Sequence, residues 1–148
     1  MNVQVHKRGR LGRVPLSPLH IKRTVREALR AARRGPLNEL NIVFLESKTI
    51  RALNRAFLKK RNDTDVIAFP YLEKQGKKRT RLNGDIFISL PQAKKNAARY
   101  NQSPAEECAR LVIHGTLHIL GYSDKTPKEK KALWKIQERV FSILFPNT

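Results

Sequence analysis

Residues 105–124 read AEECARLVIHGTLHILGYSD, and this stretch decides how the chain folds. Apolar side chains occupy nearly every side of residues 105–120, which predicts a helix that is buried on most of its surface. Gly121 is the residue type that most often ends a helix, because it adopts the left-handed conformation without strain. We therefore expect a central helix around which the other elements pack.

Two of the four histidines of the chain, His114 and His118, lie four residues apart in this helix. At that spacing their side chains leave the same face, about 40° apart around the axis and about 6 Å apart along it. After Gly121 the chain can fold back and bring Asp124 to the pair. Two imidazoles, one carboxylate and an open coordination position are typical of a catalytic zinc site rather than a structural one.

A histidine pair at this spacing can also consist of two hydrogen-bonded core residues without a metal. Two observations favour a metal. Unpaired imidazoles are costly to bury in so apolar a helix. Gly115 also stands in the helix interior, at a cost of about 1 kcal/mol relative to alanine, which indicates a close approach to the backbone. The residues alone leave both interpretations open.

Net charge is the second prominent feature of the chain. The sequence holds 31 Lys and Arg against 12 Asp and Glu, which leaves a formal charge of +19. An excess of this size favours a polyanionic partner, and nucleic acid is the obvious one. Because aromatic residues make up only 7% of the chain, we expect phosphate contacts rather than base stacking to dominate binding.

The length of 148 residues predicts one domain, spanning 1–148, with an ordinary hydrophobic core. Cys108 is the single cysteine and lies in the apolar helix, so it is interpreted as a core residue of a cytoplasmic protein. No apolar stretch reaches membrane-spanning length, and residues 1–10 lack the apolar run of a secretory signal. We expect no membrane partner.

Helix-capping residues and turn-forming residues divide the rest of the chain into short helices and strands. Strands are predicted over residues 3–6, 40–45, 66–69 and 86–88, and a basic turn over residues 74–81. Roughly four strands and about five helices, without strict alternation, predict an α+β fold in which helices pack on a mixed sheet. Trp134 is predicted to be a core residue of the last helix. Helices are predicted to begin at Ser17, Ser47, Ser89 (with Gln92 completing a capping box), Ser103 and Thr126.

Three motifs carry a resemblance to a known family. The run from His114 to Asp124 resembles the His-Gly-x-x-His-x-x-Gly-Tyr-x-His signature of the YbeY family, bacterial endoribonucleases of ribosomal RNA maturation. Residues 64–70, TDVIAFP, resemble the family's Thr-Asp-Val-Leu-Ser-Phe-Pro strand, with Leu53-Asn54 upstream of it. Residues 84–89, GDIFIS, resemble its Gly-Asp-Ile-x-Ile-Ser strand. The matches keep their order and spacing over about residues 53 to 124.

The chain departs from the family pattern at two positions. Asp124 stands where the family usually has a third histidine. A carboxylate is an acceptable zinc ligand, but it lowers the net positive charge of the site and shifts preference towards harder ions. Leu58 stands where the family often has a basic residue, soon after an aromatic residue of the helix, which is Phe57 in this chain. Basic residues come directly after Leu58, and they are candidates to contact phosphate in its place: Lys59, Lys60 and Arg61.

The resemblance implies a metal-dependent, single-strand-specific endoribonuclease that matures the 3′ end of small-subunit ribosomal RNA and acts in ribosome quality control. The ribosome or small-subunit proteins would be further partners. One divalent ion, with Zn²⁺ preferred, would be held by His114, His118 and Asp124 and would activate the scissile phosphate. The attacking group is either a bound water or the 2′-hydroxyl of the RNA.

Asp85 and Asp65 are the acids inside the matched motifs. Each is a candidate to orient a ligand histidine or to serve as a general base. The alternative for each is a structural aspartate that accepts backbone hydrogen bonds, which is the commoner role of an acid at such a position.

Two other classes of protein remain to be weighed. A zinc peptidase has a glutamate directly after the first histidine, and Gly115 at that position argues against one. A non-catalytic, basic RNA-binding or ribosome-associated protein with a structural metal fits the charge equally well. Such a protein would bind RNA in a salt-sensitive manner without cutting it.

Overall fold

The computed structural model describes residues 1–58, 64–76 and 79–146. Within these ranges the chain forms four strands and five helices. In chain order they are β1 (Asn2–Lys7), α1 (Pro18–Ala32), β2 (Glu39–Leu45), α2 (Ser47–Leu58), β3 (Val66–Gln75), β4 (Arg79–Ser89), α3 (Leu90–Arg99), α4 (Pro104–Ile119) and α5 (Pro127–Leu144).

The four strands form one mixed sheet in the order β1-β2-β4-β3. β1 runs parallel to β2, β2 runs parallel to β4, and β3 is antiparallel to β4. β3 is therefore an antiparallel edge strand beside three parallel strands. The predicted α+β fold with a mixed sheet and packed helices is confirmed.

Helix α4 lies directly against the sheet at β4. A methyl group at Gly115 would come within 2.7 Å of Ile86 Cγ2, and one at Gly84 within 2.6 Å of Ile119 Cδ1. Real Cβ atoms do not approach other atoms so closely, so both glycines are needed for the contact. The close approach that Gly115 indicated is therefore the approach of the sheet.

The core surrounds α4 on nearly all sides. Cys108 and Val112 are fully buried in the cluster that joins α4 to the sheet. Ile113 and Leu117 are fully buried in a second cluster shared with α1 and α5. The expectation that this helix is central, and that Cys108 belongs to the core, is confirmed.

Capping residues begin four of the five helices at the predicted places. The predicted cap Ser47 is instead the first residue of α2, where the amide of Ile50 donates to the carbonyl of Glu46 and the Ser47 hydroxyl lies 3.0 Å from that of Ser89. Ser103 forms a complete capping box with Glu106. At α3, the side chain of Ser89 accepts a hydrogen bond from the backbone amide of Gln92. The side chain of Gln92 donates a hydrogen bond to Asn96 and does not return to Ser89, so the predicted capping box is only half formed. Side-chain oxygens also accept a backbone amide at two other helix starts, Ser17 and Thr126.

Two expectations are wrong. The strand predicted over 66–69 continues to Gln75, and β4 begins at Arg79, so most of the predicted basic turn is paired strand. The ladder consists of backbone hydrogen bonds, so it continues through basic residues that carry no apolar pattern. Trp134 is 61% exposed, because α5 packs mainly on α1 and α4 and only a narrow stripe of it is covered.

Within the described ranges, no helix is both long enough and apolar enough to cross a membrane.

Candidate metal centre

His114, His118 and Asp124 converge at the C-terminal end of α4. Each offers one ligand atom, and these atoms all lie within 4.8 Å of one another. The two Nε2 atoms are 2.9 Å apart. The Oδ2 atom of Asp124 lies 3.6 Å from Nε2 of His118 and 3.9 Å from Nε2 of His114. The three residues that the spacing suggested are therefore brought together.

The separations suit one small divalent cation. Metal–ligand distances near 2.0–2.2 Å in tetrahedral geometry place neighbouring ligand atoms about 3.3–3.5 Å apart. The observed distances of 2.9, 3.6 and 3.9 Å lie on both sides of that value. Small side-chain rotations would bring all three atoms to it. Two imidazoles and one carboxylate also leave a fourth position for water or substrate, so the donor set fits a catalytic ion.

The loop after α4 places the carboxylate. Gly121 has φ +97°, and its amide donates to the last turn of α4, as does the amide of Tyr122. The hydroxyl of Tyr122 donates to the carbonyl of Ala32 over 3.2 Å. The guanidinium of Arg34 lies 3.8 Å from the centre of the Tyr122 ring. The loop is thus tied to the end of α1, which fixes the path of the chain to Asp124.

The electrostatics of the site favour a neutral His118. Burial lowers the pKa of His118 from its ordinary value, and the neighbouring His114 lowers it further. Asp124 and a hydrogen bond to the backbone of Tyr122 act in the opposite direction without reversing the shift. Since only a neutral imidazole can coordinate a metal, the protein environment favours the form that binds.

A cavity of about 400 Å³ opens beside the histidines. Its lining residues come from three elements, the segment before β3 and the loop after α4, so it lies at the β3 edge of the sheet between α2 and α4. They are Asn54 and Leu58 of α2, Thr64 and Asp65, Val66, Ile67 and Ala68 of β3, and His114, Gly115, His118 and Asp124. The volume is in the usual range for a small-molecule or nucleotide-sized site.

The two candidate acids are placed differently. Asp65 lines the cavity and accepts a hydrogen bond from Nδ2 of Asn96 over 3.1 Å. Asp85 accepts from Nδ2 of Asn41 over 3.1 Å and is not among the residues that line this cavity. Because side chains alternate along a strand and Ile86 faces α4, Asp85 points to the opposite face of the sheet. A catalytic role for Asp85 stays a prediction.

Lys59, Lys60 and Arg61 lie outside the described residues. The residue before them, Leu58, is the last of α2 and lines the cavity.

Sequence reasoning missed one residue of the site. The Oε1 atom of Gln137 lies 2.8 Å from Nδ1 of His114. Gln137 belongs to α5, four residues after Leu133 and three before Val140, both of which are buried. A polar residue inside this apolar stripe was the available signal, but nothing local indicates which side chain it would meet.

Fold and site together define an α+β protein with a candidate metal centre of two histidines and one carboxylate. The sequence profile of the family described as Endoribonuclease YbeY matches residues 12–144. The chain belongs to this family.

Individual relatives agree with the family match. The Endoribonuclease YbeY of Persephonella marina is 41% identical over 104 residues, which cover 70% of this chain and 68% of the relative. That of Chlorobium phaeovibrioides is 30% identical over 144 residues, 97% of this chain and 91% of the relative. The solution structure of TM1509 from Thermotoga maritima superposes with a TM-score of 0.60 and covers 97% of this chain and 89% of its own. At 20% identity this structure supports the fold alone.

Proposed function

We propose that this protein is a metal-dependent endoribonuclease that cuts single-stranded RNA. Its curated relatives carry the name Endoribonuclease YbeY. The observation that carries the proposal is the convergence of His114, His118 and Asp124 on one point beside an open cavity. Such a group of ligands is what hydrolysis of a phosphodiester assisted by one ion requires.

The chain's own residues have distinct parts in this proposal. His114, His118 and Asp124 would hold one divalent ion, with Zn²⁺ preferred, beside the open cavity. A bound ion would polarise a phosphoryl oxygen and lower the pKa of a coordinated water or hydroxyl. The carboxylate of Asp124 gives the site one positive charge fewer than three histidines would, which makes harder ions acceptable as well.

RNA is held mainly through its phosphates in this proposal. The formal charge of +19 supplies long-range attraction. We assign the contacts to the scissile region to Lys59, Lys60 and Arg61, because they follow Leu58 directly in the sequence and Leu58 lines the cavity. Asp65 is the better placed of the two candidate acids to orient a ligand or to accept a proton, because it lines the cavity and Asp85 does not.

The wider setting also belongs to the proposal. Residues 1–148 act as one functional domain in the cytoplasm, on ribosomal RNA at the 3′ end of the small subunit and in ribosome quality control. The ribosome or small-subunit proteins would present the substrate. Family membership and the basic surface support this setting.

Cleavage of a labelled single-stranded RNA by the purified protein tests the function. We expect scission that stops with a chelator, returns with added Zn²⁺ or Mn²⁺, and is lost in His114→Ala. His20→Ala is the matched control, because His20 is an exposed histidine at the start of α1 and should leave cleavage unchanged. Equal scission by His114→Ala would contradict the proposal. RNA binding without scission by the metal-loaded wild type would favour the non-catalytic RNA-binding protein.

A further inference from the structure

We infer that Gln137 is a positioning residue that holds His114 in the one neutral tautomer able to bind a metal through Nε2. The inference rests on the proposed metal centre and extends it to a residue of α5. It concerns hydrogen-bond geometry in the protein itself, so it can be tested without measuring catalysis.

The contact joins the consecutive helices α4 and α5, through residues that are 23 positions apart in the sequence. Oε1 of Gln137 and Nδ1 of His114 are 2.8 Å apart, a normal length for an N–H···O hydrogen bond. Both side chains are partly buried, so water competes for the contact less than it would on an open surface. The opposite ring nitrogen of His114, Nε2, is the atom that faces His118 and Asp124.

The orientation of the Gln137 amide is set by its neighbours. Its Nε2 atom donates to Oε2 of Glu138 over 3.3 Å. The Glu138 carboxylate is held in turn by Arg110 of α4, through Nε at 3.3 Å and Nη2 at 3.2 Å. The Arg110 guanidinium also lies 3.7 Å from the centre of the Phe141 ring. A carboxylate only accepts hydrogen bonds, so the amide nitrogen faces Glu138 and the amide oxygen faces His114.

This arrangement selects the tautomer. An amide oxygen can only accept, so the hydrogen of neutral His114 must be on Nδ1. The lone pair is then on Nε2, directed at the point where the three ligand atoms converge. The other tautomer would place two lone pairs against each other at Gln137 and a hydrogen where the ion belongs. Arg110, Glu138 and Gln137 therefore prepare His114 as a ligand.

The expected loss of metal affinity can be taken from other metal sites. Removing the hydrogen-bond partner of a ligating histidine typically weakens metal binding by 10–100-fold, because the ring loses both its orientation and its tautomer preference. Gln137→Met should have this effect, since methionine keeps the size of the side chain and removes the acceptor. Gln137→Glu restores an acceptor and should bind metal at least as tightly as wild type.

Two measurements on purified protein test the inference. The first is the ¹⁵N spectrum of the His114 ring in metal-free wild type, where long-range proton couplings identify which nitrogen carries the hydrogen. We expect hydrogen on Nδ1 in wild type and in Gln137→Glu, and a mixture of tautomers in Gln137→Met. The second is the affinity for Zn²⁺, from competition with a chromophoric chelator. Lys135→Met is the control, because it adds a methionine at an exposed position of the same helix.

The outcomes separate this inference from the proposed function. Hydrogen on Nε2 in wild type overturns the inference even if no variant folds. Zn²⁺ affinity of Gln137→Met within twofold of wild type also overturns it. If wild type binds no divalent ion, the proposed function fails, while hydrogen on Nδ1 in that same protein would still support the Gln137 contact.

Discussion

At the scale of single residues, Glu107 is an acid whose carboxyl is buried close to the candidate site. This residue is only 8% exposed on α4. Burial raises its pKa above the ordinary value, and the nearby charge of Asp65 raises it further, while Arg110 and a hydrogen bond from Asn96 act in the opposite direction. The folded protein therefore keeps this carboxyl protonated to a higher pH than the unfolded chain does.

We predict that Glu107→Gln stabilises the protein at neutral pH. In wild type the carboxyl of Glu107 ionises more readily in the unfolded chain, where its pKa is near the ordinary 4.5, than in the folded protein, where its pKa is raised. The free energy of unfolding therefore falls as pH rises from the unfolded pKa to the folded one. The neutral amide removes this loss. Urea unfolding between pH 4 and pH 8 should show the free energy of unfolding of the variant gaining on wild type as pH rises.

Glu129→Gln is the matched control, since Glu129 is exposed in the first turn of α5. A difference between Glu107→Gln and wild type that stays the same at every pH would contradict the assigned cause.

At the scale of elements, the contact between α4 and β4 positions the candidate site, and Gly115 is where the two come closest. We predict that Gly115→Ala destabilises the protein. Its Cβ would meet Ile86 at 2.7 Å, and overpacking of this kind costs about 1–3 kcal/mol, more than the gain of about 1 kcal/mol from better helix propensity. The urea midpoint should fall and Zn²⁺ affinity should decrease, because α4 must shift beside His114.

A double-mutant cycle isolates the contact. Ile86→Ala removes the atoms that the new methyl meets, so the loss of stability in the double variant should be smaller than the sum of the two single losses. Additive losses would show that Gly115→Ala acts through something other than Ile86.

Sequence patterns were sufficient to predict the boundaries of some helices and strands but not of others. Four of the five helix starts were predicted with their capping residue, since a serine or threonine caps amides only three residues away. The extents of β3 and β4 were not, because pairing of Gln75 with Arg79 depends on the partner strand rather than on either strand's own pattern. The exposure of Trp134 likewise depends on which helices cover α5.

At the scale of the whole molecule, we expect charge to govern the binding of RNA. With a formal charge of +19, we expect affinity for single-stranded RNA to fall steeply with salt. About five phosphate contacts would cost about a hundredfold in affinity between 50 and 200 mM salt. Electrophoretic or fluorescence titration of RNA over this range measures the slope of log affinity against log salt.

Replacing Lys59, Lys60 and Arg61 together with alanine should reduce that slope by about 2 if all three contact phosphate. It should also slow cleavage more than it weakens Zn²⁺ binding. The control replaces Lys22, Arg23 and Arg26, which are equally basic and exposed on α1. A slope equal to that of wild type for the Lys59, Lys60 and Arg61 variant would remove these residues from the RNA contact.

Features that depend on neighbours a few residues away could be predicted from the order of residues alone. These are the central apolar helix, the spacing of His114 and His118 on one face, the helix end at Gly121 and the excess of basic charge. Helix geometry relates such residues directly, so their arrangement can be worked out before any packing is known.

Contacts between groups that are distant in the sequence became visible only in the folded chain. Gln137 reaches His114 from 23 residues further along the chain, and Asp65 rather than Asp85 lines the cavity. The alternation of side chains along β4 places Asp85 and Ile86 on different faces of the sheet, but it does not say on which face the site will form. That choice is made when α4 packs against one face of the sheet and α5 packs against α4, because long-range contacts depend on the whole core and not on local pattern.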